Sequence, residues 1–125
     1  ADMEMCDRLE WMFGMREEFI QSLNNKVPGS YPKCPVEISE KESQQLIREM
    51  TLRGVEELFE ALQHLKNWKT HRPDVSGEFD REEFLEEFVD SLNYFLSVLI
   101  MVGVDDKELF KAYVDKHNKI LKRLS

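Results

Sequence analysis

Two pairs of acidic residues are the strongest candidates for chemistry in this sequence. Glu57 and Glu60 lie three residues apart, and after 26 intervening residues Glu87 and Asp90 repeat that spacing. Each pair interrupts an otherwise apolar helical pattern, and residues three apart share one face of a helix. Carboxylates that meet in one space repel each other unless they are protonated or bind cations. Because oxygen ligands select hard ions, the pattern predicts a Mg²⁺ or Mn²⁺ site.

The two pairs also occupy equivalent positions on their helices. At about 100° per residue, the second acid of each pair lies about 60° from the first, and the apolar arc lies on the same side of both pairs. On the second acidic helix the acid stripe continues as Tyr94, Val98 and Met101. Since a purely solvent-facing stripe would not turn apolar, we expect the four acids at the edge of the core. The acids expected on the surface are Glu56, Glu82, Glu83 and Glu86.

Two other interpretations of the acid pairs remain open. Acid-rich helix faces are most often solvated surface, which would leave the pairs without a ligand. A di-iron bundle would carry Glu-x-x-His on its helices, whereas His64 lies four residues after Glu60 and no histidine follows Asp90 at either spacing. Iron is therefore the weaker interpretation.

Mg²⁺ held by few carboxylates commonly takes phosphate oxygens as further ligands, which points to nucleotide chemistry.

A triphosphate also needs cationic donors, and basic residues follow the first acidic helix and recur on the last one. The candidates are Lys66, Lys69, Lys116, Lys119, Lys122 and Arg123. Taken singly, each of them is also explained as a solvated surface residue.

Helical periodicity and capping residues predict the elements that carry these side chains. Four helices are expected, over about residues 4–25, 39 to 66 or 68, 80–102 and 105–122. Ser39, Asp80 and Asp105 each precede an acid by three residues, which is the pattern of a capping box, and Gly103 ends the third helix. Gly54 predicts a close helix crossing. The expected fold is all-α, a four-helix bundle-like single domain over residues 1–125.

Composition narrows the class of protein further. The 125 residues are 42% hydrophobic and 34% charged, and a net charge of −8 without a basic cluster argues against nucleic acid as a partner. The longest apolar run, 94–104, is too short to span a bilayer, and no signal peptide is visible. Cys6 and Cys34 fit reduced thiols better than a disulfide framework. We therefore expect a cytoplasmic protein without a membrane partner, and Phe-rich helix faces on a short chain predict a homo-oligomer.

The acid quartet resembles the metal motif of the all-α nucleoside triphosphate pyrophosphohydrolases, which include the MazG proteins and the dimeric dUTPases and dCTPases. Further segments resemble the dimeric dUTPase branch. They are Leu65–Lys69, similar to its Phe-Lys-x-Trp segment; Leu85–Ser97, similar to its second acidic helix; Tyr113-x-x-Lys116, similar to its closing motif; and Gln21–Asn24, similar to its Gln-x-x-Leu-Asn element. The resemblance covers roughly residues 15 to 123. The chain is shorter than typical members of that branch, which brings it nearer to MazG-like proteins.

The resemblance implies hydrolysis of a deoxynucleoside triphosphate, dUTP in the dUTPase branch, to the monophosphate and pyrophosphate. The residues that would hold two or more Mg²⁺ ions, with Mn²⁺ as a substitute, are Glu57, Glu60, Glu87 and Asp90. One of these acids would also accept a proton from the attacking water. Residues expected to bind the phosphates are Lys66, Lys69, Tyr113, Lys116 and Lys122. Residues expected to contact the base or nucleoside are Gln21, Asn24, Trp68, Asn93 and Asn118. The active protein would be a homodimer or homotetramer.

Two alternative functions stay open. The closer one is a MazG-like or dCTP-preferring pyrophosphohydrolase, a house-cleaning enzyme with the same metals and mechanism. The remoter one is a non-enzymatic helical dimerisation module whose acids lie on the surface. Hydrolysis rates on several nucleotides distinguish the first alternative from a dUTP-preferring enzyme. Mg²⁺ titration of the wild type and a Glu60→Gln variant distinguishes the second alternative from any metal-dependent enzyme.

Overall fold

A computed structural model describes residues 7–74 and 77–125 of the chain. Within these ranges the protein forms four α-helices and no strand, and about 70% of the described residues are helical. The helices are α1 (Arg8–Lys26), α2 (Lys41–Leu62), α3 (Arg81–Val102) and α4 (Asp106–Leu124). The all-α prediction is confirmed. The predicted start of the first helix at residues 4–6, and Cys6 with it, lie outside the described residues.

Three of the predicted helix ends are confirmed by their capping bonds. Asp80 Oδ1 accepts from Glu83 N at 3.0 Å, and Asp105 Oδ1 accepts from Glu108 N at 2.9 Å. Gly103 follows α3 with φ +90, a backbone conformation that favours glycine. Gly103 N donates to Ile100 O at 3.0 Å and Val104 N to Leu99 O at 2.9 Å, which is a Schellman motif.

The predicted bounds of the second helix are wrong at both ends. Glu40, not Ser39, is the N-cap of α2, because its carbonyl accepts the first helical bond from Gln44 N at 3.1 Å. The Glu40 side chain makes no capping bond. At the other end α2 stops at Leu62, and Leu65 N turns back to Leu62 O at 3.0 Å. Trp68 beyond it is 68% exposed, so extending the helix would bury little apolar surface.

The chain divides into two compact units. The first unit contains the described residues up to Ile38 together with Leu99–Ser125, and the second contains Ser39–Val98. The last turn of α3 therefore belongs to the first unit and the rest of α3 to the second. The single domain over residues 1–125 stays a prediction.

In the first unit, hydrogen bonds hold the loop that follows α1 against α1 and against the end of α3. Tyr31, which is buried, donates its backbone N–H to Asn24 Oδ1 at 2.8 Å and accepts a bond from Arg16 Nη2 at its hydroxyl. Val36 N donates to Met101 O at 2.9 Å. Helices α1 and α4 are also in contact. The core of this unit includes Phe13, Ile20, Tyr31 and Met101.

In the second unit α2 and α3 approach most closely at Gly54. A Cβ atom added at Gly54 would lie 2.6 Å from Phe95 Cε1, so no larger residue fits there without movement. The buried Ser91 donates its hydroxyl to Gly54 O at 2.7 Å. The predicted close crossing at Gly54 is confirmed, and it fixes the register of the two acidic helices.

Within the described part of the chain, no single helix has both the length and the apolar content needed to cross a bilayer, although α3 and α4 taken together meet that test.

Candidate functional site

The four acids lie on α2 and α3 of the second unit, and the first member of each pair is the less exposed. Glu57 and Glu87 are half-buried, whereas Glu60 and Asp90 are exposed. The neighbouring acids expected on the surface, Glu56, Glu82, Glu83 and Glu86, are all exposed. The helical phase inferred from the sequence therefore separates Glu57 and Glu87, the first acid of each pair, from the exposed acids beside them.

Glu57 is influenced by all three of the other acids. Partial burial is the largest cause that raises the pKa of Glu57 above its ordinary value of 4.5. The charge of Glu60 and a side-chain hydrogen bond to it come next, followed by the charges of Asp90 and Glu87. All of these effects favour the protonated form of a carboxyl group. The two acid pairs, separated in sequence, thus act on one another electrostatically.

The donor set fits a hard divalent cation. All four groups are carboxylates, and the mutual repulsion felt at Glu57 is what a cation would relieve. Among residues 7–74 and 77–125, no three His, Cys, Asp or Glu side chains are already arranged around one point as metal ligands. The two findings are compatible because charge repulsion acts over longer distances than metal–ligand bonds.

Glu87 has a partner that the acid pattern does not contain. The ring nitrogen His64 Nε2 lies 2.9 Å from Glu87 Oε2, and both side chains are half-buried. His64 follows the end of α2 and lies 23 residues before Glu87. In the sequence, His64 stands out only as a candidate iron ligand, because no spacing rule connects it with a residue on another helix.

Two of the predicted phosphate-binding lysines and Trp68 follow α2 directly. Lys69 Nζ lies 5.6 Å from the centre of the Trp68 ring, within the range of a cation–π contact. Two pockets share Leu65, Lys66 and Trp68 in their walls, one of about 390 Å³ and one of about 660 Å³. The segment therefore combines an exposed aromatic ring with two ammonium groups, which suits an anionic ligand with a planar ring.

Gln21 and Asn24 line a pocket in the first unit. The pocket has a volume of about 620 Å³, and the loop residues in its wall are Pro32, Lys33, Cys34 and Pro35. The Asn24 oxygen already accepts the Tyr31 N–H, which leaves the amide N–H groups and one lone pair of that oxygen for a ligand. Cys34 is a free thiol, and burial, followed by the charge of Glu17, raises its pKa and favours the protonated form.

The remaining predicted residues divide between the two units. Asn93 is half-buried on α3 in the second unit. Tyr113, Lys116, Asn118 and Lys122 are exposed on α4 in the first unit, where every residue from Phe110 onward is exposed. The second unit thus brings together the four acids, Lys66, Lys69, Trp68 and Asn93, while the first holds Gln21, Asn24 and the α4 residues.

Comparison of the chain with protein-family models, with curated proteins and with solved structures finds no match.

Proposed function

We propose that the protein hydrolyses a deoxynucleoside triphosphate, with dUTP as the preferred substrate, to the monophosphate and pyrophosphate in the presence of Mg²⁺. The observation that carries the proposal is the placement of both acid pairs on the two helices that cross at Gly54, where burial, and then the charges of Glu60, Asp90 and Glu87, raise the pKa of Glu57. A cluster of this kind is costly for a protein to maintain unless a cation uses it. The resemblance of its spacing to the pyrophosphohydrolase motif supplies the substrate class.

The four acids would hold the metal, and the remaining chemistry is modest. Bound Mg²⁺ supplies charge neutralisation at the phosphates and makes a bound water more acidic. One of the four acids accepts the proton of the water that attacks phosphorus. If the α-phosphorus is attacked, the water oxygen ends on the monophosphate and pyrophosphate leaves with the bridging oxygen. If the β-phosphorus is attacked, the water oxygen ends on pyrophosphate and the monophosphate leaves with the bridging oxygen.

The phosphates and the nucleoside are assigned to the basic and aromatic residues. Lys66 and Lys69 would neutralise the triphosphate, and Trp68, 68% exposed, offers a ring face for the nucleoside. Tyr113, Lys116, Lys122 and Asn118 on α4, and Asn93 on α3, stay proposals for phosphate and nucleoside contacts. For the base, Gln21 offers a complete amide, and Asn24 offers its N–H groups.

A nucleotide panel tests the proposal. Purified protein with Mg²⁺ is incubated with dUTP, dCTP, dTTP and modified nucleotides, and monophosphate and pyrophosphate are quantified separately. We expect one pyrophosphate per monophosphate, and the highest rate on dUTP. Equal rates on all substrates would favour the MazG-like alternative, and a higher rate on dCTP would favour the dCTP-preferring one. Release of inorganic phosphate instead of pyrophosphate would contradict pyrophosphohydrolysis.

We also propose that the active protein is a homodimer or homotetramer, because both units expose large apolar side chains. In the second unit these include Leu52, Phe59, Leu62, Leu65, Leu85, Phe88 and Val89. On α4 they include Phe110, Tyr113, Val114, Ile120, Leu121 and Leu124. Light scattering at micromolar concentration tests this, and a monomer would contradict it.

The same exposed apolar side chains favour one second candidate, a non-enzymatic helical association module. That candidate requires oligomers that bind no Mg²⁺ and hydrolyse no nucleotide. In that case Glu60→Gln would change only stability, whereas the proposed enzyme would lose Mg²⁺ affinity and turnover with the same substitution.

A further inference from the structure

The contact between His64 and Glu87 joins two side chains that are each partly buried. The two side chains are 22% and 23% exposed, and the contact joins the segment after α2 to α3. The ion pair between Arg53 and Glu49 differs, because it lies within one helix and both of its side chains are more than half exposed. Exposed pairs of that kind contribute little, so the partly buried His64–Glu87 contact is the stronger candidate for a role.

The chemistry of the two groups gives the direction of this hydrogen bond. A carboxylate accepts hydrogen bonds, so in the tautomer that pairs with a Glu87 carboxylate His64 Nε2 carries the hydrogen of the 2.9 Å contact to Glu87 Oε2. A ring nitrogen that carries a hydrogen has no lone pair for a metal. In this geometry His64 therefore orients Glu87 and does not itself act as a ligand through Nε2.

Both partners are carried by anchored backbone. His64 N donates to the carbonyl of Ala61, which is 1% exposed, at 3.2 Å. On α3, Ser91 lies one helical turn after Glu87 and donates to the Gly54 carbonyl at 2.7 Å. In the orientation that His64 holds, the charge of Glu87 still acts on Glu57, so the carboxylate remains within the influence of the cluster.

We propose that His64 is a positioning residue that holds the Glu87 carboxylate in the orientation needed to bind a divalent cation, an inference that rests on the function proposed above. Hydrogen-bond partners of metal-binding carboxylates orient them, and their loss costs about 10–100-fold in metal affinity or activity. His64 thereby extends the site beyond the four acids.

Titration with Mn²⁺ alone, followed by electron paramagnetic resonance of the free ion, tests this role in the full chain. His64→Leu removes the donor, while His64→Gln keeps an N–H group of similar reach. We expect His64→Leu to raise the Kd for Mn²⁺ by about 10–100-fold, and His64→Gln to restore most of the affinity. His71→Leu, at an exposed histidine of the following loop, is the matched control and should leave the Kd unchanged.

A second measurement covers the case in which His64→Leu does not fold. In wild-type protein with ¹⁵N-labelled histidine, the His64 Nε2 hydrogen should remain bound when Mg²⁺ is added. Loss of that hydrogen on metal addition would make His64 a ligand and overturn the positioning role. Failure of His64→Gln to restore affinity in a folded protein would overturn it as well.

The results also separate this inference from the proposed function. If the wild type binds Mn²⁺ and hydrolyses nucleotides while His64→Leu matches it in Kd, only the role of His64 is overturned. If the wild type neither binds Mn²⁺ nor hydrolyses any nucleotide, the proposed function fails and the role of His64 fails with it.

Discussion

Glu57 and Glu87 occupy the same position in two acid pairs, yet their carboxyl groups have different neighbours. Burial raises the pKa of Glu57, and the charge of Glu60, its own partner on α2, is the next cause. Glu87 instead contacts His64, which comes from the segment after α2. The first carboxyl group is thus crowded by like charge, and the second is held by a hydrogen-bond donor.

This difference separates two requirements of a cation site. Crowded carboxylates store repulsion that a cation relieves, and a fixed carboxylate reduces the loss of side-chain freedom when the cation binds. Under the proposed function, the first pair would contribute mainly the first property and the second pair mainly the second. A repeated sequence spacing therefore predicts where the acids lie but not what each of them contributes.

The largest expected effect is on turnover. Glu57→Gln and Glu87→Gln should each lower the rate of pyrophosphate release from dUTP by about 100-fold or more, because metal-based charge stabilisation contributes several kcal/mol. Glu56→Gln and Glu86→Gln, at exposed neighbours on the same helices, are the matched controls and should retain the wild-type rate. A control as damaging as its partner would show that the helical phase assigned to that pair is wrong.

The next effect is on the stability of the crossing that keeps the two pairs together. Gly54→Ala places a Cβ 2.6 Å from Phe95 Cε1. Overpacking of this kind costs about 1–3 kcal/mol of unfolding free energy, which the gain of about 0.5–1 kcal/mol from replacing a helical glycine by alanine offsets only in part, so the variant should be destabilised. Gly14→Ala on α1 has open space around the new Cβ and should stabilise the protein by about 0.5–1 kcal/mol. Urea unfolding monitored by circular dichroism measures both, and equal effects of the two substitutions would contradict the close crossing.

The smallest expected effect is on thermal stability in Mg²⁺-free buffer, where substitutions in the two pairs should act in opposite directions. Because the pKa of Glu57 is raised, its contribution to stability is present below 4.5 and is lost as the pH rises through the higher value of the folded state. Glu57→Gln cannot ionise, so it should melt at a higher temperature than wild type at neutral pH and lose this advantage in acid. Glu87→Gln weakens the bond to His64 and should lower stability at neutral pH by up to about 1 kcal/mol.

Thermal melts of both variants at pH 4 and pH 7.5 distinguish the two carboxyl groups. A destabilised Glu57→Gln at neutral pH would mean that Glu57 is supported by its neighbours, not repelled by them. A stabilised Glu87→Gln would mean that the His64 contact contributes nothing to the fold.

The sequence predicts the local features well, because caps depend on neighbours three or four residues away. Asp80, Asp105 and Gly103 end or begin their helices as expected. The predicted end of α2 is wrong because a periodic pattern of apolar residues does not show whether those residues are buried. Trp68, which the pattern includes, is largely exposed.

The interactions between helices are the part that sequence patterns do not contain. Gly54 predicts a crossing, but the partner at that crossing, Phe95, lies on another helix. The His64–Glu87 contact depends on the same packing of α2 and α3, which sets two residues 23 positions apart within hydrogen-bond distance. The four acids are predictable as a group, whereas the histidine that holds one of them is not.

Anomalous diffraction from crystals grown with Mn²⁺ and a non-hydrolysable dUTP analogue tests the central claim most directly. We expect anomalous peaks with oxygen ligands from Glu57, Glu60, Glu87 and Asp90 and from the triphosphate, with His64 bonded to Glu87 and not to the metal. Peaks bound instead by the exposed Glu56, Glu82, Glu83 or Glu86, or a bound analogue without any metal at the four acids, would contradict it.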